Sequence, residues 1–483
     1  MNEVKRMKDA TYWANEVKEK RVSVDELLNE TYKKALENNE LNCFVDLDLD
    51  RIKDNLTRTD YNGAFYGVPF PLKNIGQQKK DWLNTSGSKL FLNNRSHLTD
   101  NYVSQIESAG FIPFGVTNAP EFGFKNVTDP ECHGVTKNAW NKDYHAGGSS
   151  GGAASAVASG IVPIAGASDG GGSIRIPASF SGLLGLKPSR GVITTGPNEW
   201  RAWQGASVNF VLGVSVRDAR SLLSILKPRQ QVSPFLFPQE NVHDTKHLKI
   251  AVCFDSPVGN QVSDEAKKAV KKAIRFFEKE GHTVTEINYP INGEQLIRSY
   301  YTMNGGETAA MMSSIENNLK RNLTMNDMEL MTWTLYQYGQ KLSASDYVQS
   351  FYPWDDSTKI MEELFTEYDV FLSPSATTTA PKITDDLQSG TIRKSMYAAN
   401  ELDKHELANL VYDMFDKSLQ ITPYTQLANL TGQPAINLPI YIADNGLPIG
   451  VQLMSAKGNE GLLLDIAERF ELEEQFILPA YYR

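Results

Sequence analysis

Apolar residues recur at helical spacing in the first sixty positions. Val24, Leu27, Leu28, Ala35 and Leu36 share one face of a segment opened by Ser23-Val24-Asp25-Glu26, a capping box in which hydroxyl and carboxylate each satisfy a free backbone N–H of the first turn. That face is expected to dock on a core. Between Phe65 and Ile75 the pattern becomes a short apolar run, Gly67-Val68-Pro69-Phe70-Pro71-Leu72, which reads as a buried strand with Lys73 at its end. Asn101 to Ala109, Gly110, and Phe111 to Val116 read as a helix, a glycine stop and a strand. Ala153 to Ser159 is alanine-rich and helix-prone, and Ile161 to Ala165 is a short strand candidate. This alternation predicts an α/β fold, a sheet sandwiched by helices.

Positions 227 to 246 carry Pro228, Pro234 and Pro238 with few apolar repeats, which marks an exposed connection. Beyond it, Lys249 to Phe254 and Val370 to Leu372 read as strands. Ser263-Asp264-Glu265 caps a helix that runs to about Gly281, with Ala266, Ala269, Val270, Ala273, Ile274 and Phe277 on its apolar face. Arg298 to Tyr352 is rich in methionine, asparagine and aromatic residues and reads as helical. It either makes a lid or a substrate-facing layer or supplies ordinary core methionines and surface asparagines, and the second is the commoner use of such residues.

Charge and cysteine usage narrow the function classes. Lys and Arg number 48 against 58 Asp and Glu, a net charge of −10, so a broad phosphate-binding surface and a direct nucleic-acid partner are not expected. Cys43, Cys132 and Cys253 are far apart and form no C-x-x-C pair, which supports neither a disulfide framework nor a zinc knuckle. The opening residues Met1 to Arg6 have no apolar stretch behind them, and no apolar run is long enough to span a bilayer. The cytoplasm is the expected location, with no membrane partner.

The chemistry-bearing residues cluster in two glycine-rich stretches. These are Gly147-Gly148-Ser149-Ser150-Gly151-Gly152 and Ser168-Asp169-Gly170-Gly171-Gly172-Ser173-Ile174-Arg175. Glycine lets backbone N–H groups approach a ligand closely, so each serine can sit on an exposed, sharply turned loop beside amide donors. With Lys73 upstream, this is what an amide hydrolase needs if it works without histidine: a serine nucleophile, a base and an oxyanion hole. Such a cluster alone is more often a plain loop or a phosphate cradle. The G-x-x-x-x-G-K-[ST] order of a P-loop is missing.

Other constellations compete. Gly147-x-Ser149-x-Gly151 fits the nucleophile elbow of an α/β-hydrolase-type esterase, which would use Ser149 with Asp369 and His405. Ser86-Gly87-Ser88-Lys89 fits S-x-x-K but has no K-T-G partner. His243 and His247 are four apart without a third ligand, and no metal is expected.

The stretch from Gly147 through Pro188, GGSSGGAASAVASGIVPIAGASDGGGSIRIPASFSGLLGLKP, resembles the amidase signature family. Further matches lie at Gly67-Val68-Pro69 with Lys73, Thr117-Asn118-Ala119-Pro120-Glu121-Phe122, Gly432-Gln433-Pro434-Ala435 and Gly446-Leu447-Pro448-Ile449-Gly450-Val451-Gln452. The resemblance implies one amidase domain over 1–483 with a mixed central β-sheet flanked by helices on both faces. Within it would lie an N-terminal helical region (1–60), a catalytic core (61–226), a connection (227–247) and a part completing the sheet and pocket (248–483). It further implies Ser173 as nucleophile, Ser149 after a cis bond as bridging serine and Lys73 as base. The oxyanion hole would use Gly170, Gly171, Gly172 and Ser173, and Ser150, Asp169 and Arg175 would give structural support. No cofactor is implied.

A lysine base carries a physical demand. Its ordinary pKa of about 10.4 must fall near 7, at roughly 1.4 kcal/mol per unit, and the apolar neighbours Val68, Phe70, Leu72 and Ile75 suit the burial required.

Within the family the C-terminal half is most similar to the 6-aminohexanoate-cyclic-dimer hydrolase branch, at Ser256-Pro257-Val258-Gly259, Gly306-Glu307-Thr308-Ala309 and Thr431 to Pro439. The expected substrate is a small-molecule amide, linear or cyclic. Phe124, Asn126, Trp200, Trp203 and Asn304 are expected to face it, and a homodimer fits this picture. The alternative is the glutaminase subunit of a glutamyl-tRNA amidotransferase. It is disfavoured because Lys187-Pro188-Ser189 and Ala206-Ser207-Val208-Asn209-Phe210 depart from that subunit's K-P-T and S-L-D-Q-x-G-P text.

Overall fold

The computed structural model describes residues 7–58, 60, 62–228, 233–236, 238, 239 and 245–483. The basic residues of the N-terminal hexapeptide, His243 and much of the 227–246 connection lie outside that set.

Among the described residues eleven strands form two sheets. The smaller sheet orders β1 (Phe44–Asp46), β3 (Ile112–Thr117) and β2 (Pro69–Lys73). All five positions of β2 are buried, and it runs parallel to β3 with Lys73 opposite Thr117. The larger sheet has β4 (Ala165–Asp169), β5 (Leu184–Lys187), β6 (Val208–Gly213), β7 (Lys249–Val252), β8 (Thr283–Glu286), β9 (Val370–Pro374), β10 (Ala435–Ile442) and β11 (Pro448–Met454). Their order is β4-β6-β5-β10-β11-β9-β7-β8, so strands from both sides of the 227–246 connection share one sheet. The β9-β7-β8 pairs are parallel and the others antiparallel, which makes it the mixed sheet of an α/β fold.

Two short helices set the site between the sheets. The helix Gly151–Ala158 is buried along its whole length and packs on β2, β4 and β6. Small residues make this possible, because a Cβ on Gly152 would overlap the backbone of Asn118. The helix Arg175–Ser181 is likewise fully buried and follows the glycine turn after β4.

Most sequence expectations hold at element level. The Ser23–Glu26 capping box is formed, with Glu26 N donating to Ser23 Oγ at 3.2 Å and Ser23 N to Glu26 Oε2 at 2.9 Å. Leu27, Leu28 and Ala35 dock, but Leu36 is 56% exposed, because a step of one residue carries it beyond the apolar stripe. The strand expected at Ile161–Ala165 begins only at Ala165. The N–H groups of Ile161 and Val162 turn back to Ala156 O and close the preceding helix, and Pro163 has none to give. The helix Asp264–Lys279 buries Ala266, Ala269, Val270, Ala273, Phe276 and Phe277, with Ile274 half-buried.

Residues 298–352 are largely helical and supply both core and cavity-lining positions. In the helix Gly293–Leu319, Met303 and Met312 enter the core, whereas Tyr300 and Asn304 line a cavity. Among the described residues no helix is long and apolar enough to cross a membrane.

Candidate active site

Strand β2 ends in Lys73, whose side chain is 2% exposed. Its Nζ lies 2.7 Å from Ser149 Oγ, 2.8 Å from Ser168 Oγ and 3.4 Å from Ser168 O. The backbone is pinned as well. Lys73 N donates to Gln77 Oε1 at 2.8 Å, and Gln77 Nε2 donates to Ala167 O at 2.9 Å, which ties the small sheet to β4. Burial drives the Lys73 pKa down to about 7, against the nearby charge of Asp169, which holds it up. Nζ donates in each of these contacts, and a pKa of about 7 leaves the amine able to stand neutral and accept a proton from the Ser149 hydroxyl. The Gly148–Ser149 peptide is cis.

The turn carrying Ser173 is braced from below. Asp169 and Arg175 are both fully buried and form a two-pronged pair, with Nε to Oδ2 and Nη2 to Oδ1, each at 2.9 Å. Arg175 also donates to Gln452 Oε1 and Asn429 Oδ1, both at 2.6 Å. Burial alone would raise the Asp169 pKa, but the Arg175 charge and the bonds from Arg175 and Asn429 bring it down to about 2. Ser150 bonds the β4 backbone, its Oγ donating to Ser168 O at 3.2 Å and accepting from Ser168 N at 3.3 Å.

One expected oxyanion donor is spoken for. Gly172 N–H donates to Asp169 Oδ1 at 2.7 Å, because the brace needs an amide where the turn reverses. The amides of Gly170, Gly171 and Ser173 have no partner among the described residues. The glycines also answer to crowding. A Cβ on Gly170 would stand 2.7 Å from the Trp203 ring and one on Gly171 2.7 Å from the Tyr300 hydroxyl, while Gly172 takes φ +129° against Thr425.

Ser173 sits at the junction of two cavities. The larger, about 470 Å³, also takes in Ser149, Ser168, Gly170, Phe122 and Glu199. The smaller, about 50 Å³, is lined by Gly171, Asn126, Tyr300, Asn304 and Gln426 among others. Phe124 and Trp203 line both, their rings stacked at 5.9 Å and 6°. Buried side-chain oxygens of Asn126, Asn304 and Gln426 at the smaller cavity lack a hydrogen-bond partner. Trp200, expected to face substrate, lines neither cavity. Its indole packs over Gly196, whose left-handed φ of +73° and lack of a Cβ leave the room the ring fills.

The esterase elbow reading fails on geometry. His405 is exposed on the helix Lys404–Ile421, Asp369 Oδ2 accepts from Lys249 N, and neither lines a cavity with Ser149. In the S-x-x-K stretch, Lys89 pairs with Glu131 at 3.0 Å. Sequence reasoning missed Ser168, although it stands inside the quoted motif. It also missed Thr425, Gln426 and Asn429, which lie in an ordinary helical stretch with no signal of their own.

Comparison with known proteins shows the family and the fold. The family model described as Amidase matches residues 26–464. The chain is 37% identical over 475 residues to a lipoamidase of Enterococcus faecalis, covering 96% of this chain but 63% of that protein, so it spans less than two thirds of that relative. It is 30% identical over 497 residues to a 6-aminohexanoate-cyclic-dimer hydrolase of Paenarthrobacter ureafaciens, covering 98% and 96% of the two chains. A solved structure of 6-aminohexanoate cyclic dimer hydrolase matches with a TM-score of 0.87 at 28% identity, over 99% of both chains. The cavity shared by Ser149 and Ser173, with Lys73 against Ser149, lies in a chain that belongs to the amidase family.

Proposed function

We propose that the protein hydrolyses the C–N bond of small carboxamides or of linear and cyclic amides, with Ser173 as nucleophile, Ser149 as bridging hydroxyl and Lys73 as base. The observation that carries this reading is the buried Lys73 amine, 2.7 Å from Ser149 Oγ, with its pKa brought to about 7.

Ser173 Oγ attacks the amide carbon, and its proton passes through Ser149 to Lys73. The oxyanion is received by the free amides of Gly170, Gly171 and Ser173. As the C–N bond breaks, Ser149 gives a proton to the departing nitrogen and regains one from Lys73. Water then attacks the acyl-enzyme and gives its proton through Ser149 to Lys73, and as the ester C–O bond breaks Ser173 takes that proton back by the same path and the acid is released. Asp169 and Arg175 hold the turn and transfer no proton.

The cleft is shaped for an amphipathic amide, with Phe122, Phe124 and Trp203 as apolar walls and Asn126 and Asn304 at the smaller cavity. Because Lys73 comes from one sheet and the serines flank β4 of the other, we read the chain as one catalytic unit. Its three unpaired cysteines suit the cytoplasm. The test is amine release from a panel of short-chain acyl anilides by wild type and Ser173→Ala. Turnover in wild type with a loss of about a thousandfold or more in the variant supports the reading, and equal rates refute it.

A further inference from the structure

The larger cavity has an acidic lining. Asp100, Glu199 and Glu307 line it, and no lysine or arginine does. None of the three forms an ion pair among the described residues. Their partners are neutral: Asp100 accepts from Gln78 N and Asn198 Nδ2, and Glu307 accepts from Gln204 Nε2 and the Tyr347 hydroxyl. Glu307 and Asp100 stand close enough to Glu199 for their charges to act on its carboxyl.

A second observation points to a ligand at this end. Thr308, which follows Glu307 on the helix Gly293–Leu319, lines the same cavity and is 1% exposed, yet its Oγ1 has no hydrogen-bond partner. A buried hydroxyl without a partner is uncommon in a folded protein. Burial first, and then the charges of Glu307 and Asp100, push the Glu199 carboxyl up to about 7, so a cation entering the cleft both meets carboxylate and favours the ionised form of Glu199.

The position of Ser149 says which part of a substrate lies there. Ser149 lines the larger cavity and not the smaller one. On the reading above, on which this inference rests, Ser149 protonates the departing nitrogen, so the amine portion of the substrate extends into the larger cavity.

We propose that Asp100, Glu199 and Glu307 form a subsite for a cationic amino group on the leaving-amine side, so that the preferred substrates are N-acylated diamines or other amides whose amine portion carries a second, protonated nitrogen. Hydrolysis of such an amide breaks the C–N bond and forms a C–O bond with water. The products are a carboxylate and a diamine protonated at both nitrogens, and the net charge is conserved.

The test uses N-alkylacetamides with alkyl tails of two to six carbons that end in an ammonium, a methyl or a carboxylate group. Binding to the full-length Ser173→Ala protein is measured by calorimetry, and turnover by wild type separately. The expected order is ammonium, methyl, carboxylate, with about a tenfold or larger advantage of ammonium over methyl at low salt that narrows as salt is added. Glu199→Gln and Glu307→Gln should each shrink the ammonium-to-methyl ratio severalfold. Equal binding of the ammonium and methyl tails, a preference for carboxylate, or a ratio untouched by both substitutions would overturn the subsite. The salt series on the protein with its carboxylates intact decides the matter even if a glutamine variant fails to fold. Failure of the catalytic reading looks different: the binding order stands while wild type turns over none of the amides.

Discussion

Lys73 Nζ lies 2.7 Å from Ser149 Oγ at the meeting point of two sheets that share no strand. The amine is brought by the last residue of β2, and the hydroxyl by the residue two before the buried helix Gly151–Ala158. The Gln77 bridge between Lys73 N and Ala167 O sets this distance.

The lysine must be neutral to accept a proton, so its pKa of about 7 fixes the pH dependence. The rate should rise through pH 7 with a single ionisation and flatten above it, which a pH series of kcat/KM measures. A Lys73→Ala variant should lose about a thousandfold on amides and less on activated esters. Stability follows the sign of the shift. Between pH 7 and about 10.4 the unfolded chain binds more protons than the native one, so the wild type gains stability as pH rises across that window. Lys73→Met removes that dependence and should be more stable at pH 7 by on the order of 3 kcal/mol, read by urea unfolding.

Ser168 offers Lys73 both its hydroxyl and its carbonyl. An acceptor stabilises an ammonium more than a neutral amine. Ser168→Ala should therefore move the midpoint of the pH–rate profile downward and lower kcat by about tenfold. A lower rate with an unmoved midpoint would mean that Ser168 acts only through packing.

The Asp169–Arg175 pair is fully buried, so removing one partner strands the other. Asp169→Asn should cost about 3–5 kcal/mol of stability by urea titration. Its carboxyl pKa is lowered to about 2, so the pair contributes fully above about pH 4 and its contribution is lost as pH falls from there through 2. In the variant that acid-sensitive component should vanish.

Phe124 and Trp203 stack between the two cavities. Phe124→Ala opens one space to the other and should change KM for amides of different bulk by about tenfold while kcat changes less, since the ring lines both cavities and has no part in the proposed proton path. A uniform fall in kcat for all amides would show that the stack positions Ser173 instead.

Much of this was readable in the chain, because it depended on local residue order. The capping box at Ser23, the strand ending in Lys73 and the glycine turns around Ser149 and Ser173 follow from neighbours in sequence. What was not readable depended on distant partners. Gly172 looked like an amide donor until Asp169 claimed its N–H. Trp200 and Trp203 are both expected to face substrate, but only Trp203 lines the cavities, while the Trp200 indole packs over Gly196. Asn429 and Thr425 meet the turn across more than 250 residues, with Asn429 Nδ2 donating to Asp169 O and Thr425 Oγ1 to Gly171 O, and no local pattern announces such contacts.

The central claim is that Ser173, and not Ser149, forms the acyl-enzyme. Intact-mass spectrometry after treatment with a fluorophosphonate, with peptide mapping of wild type and Ser173→Ala, tests it most directly. The account predicts one adduct, on Ser173, absent from the variant. An adduct on Ser149, or one that persists in Ser173→Ala, would contradict it.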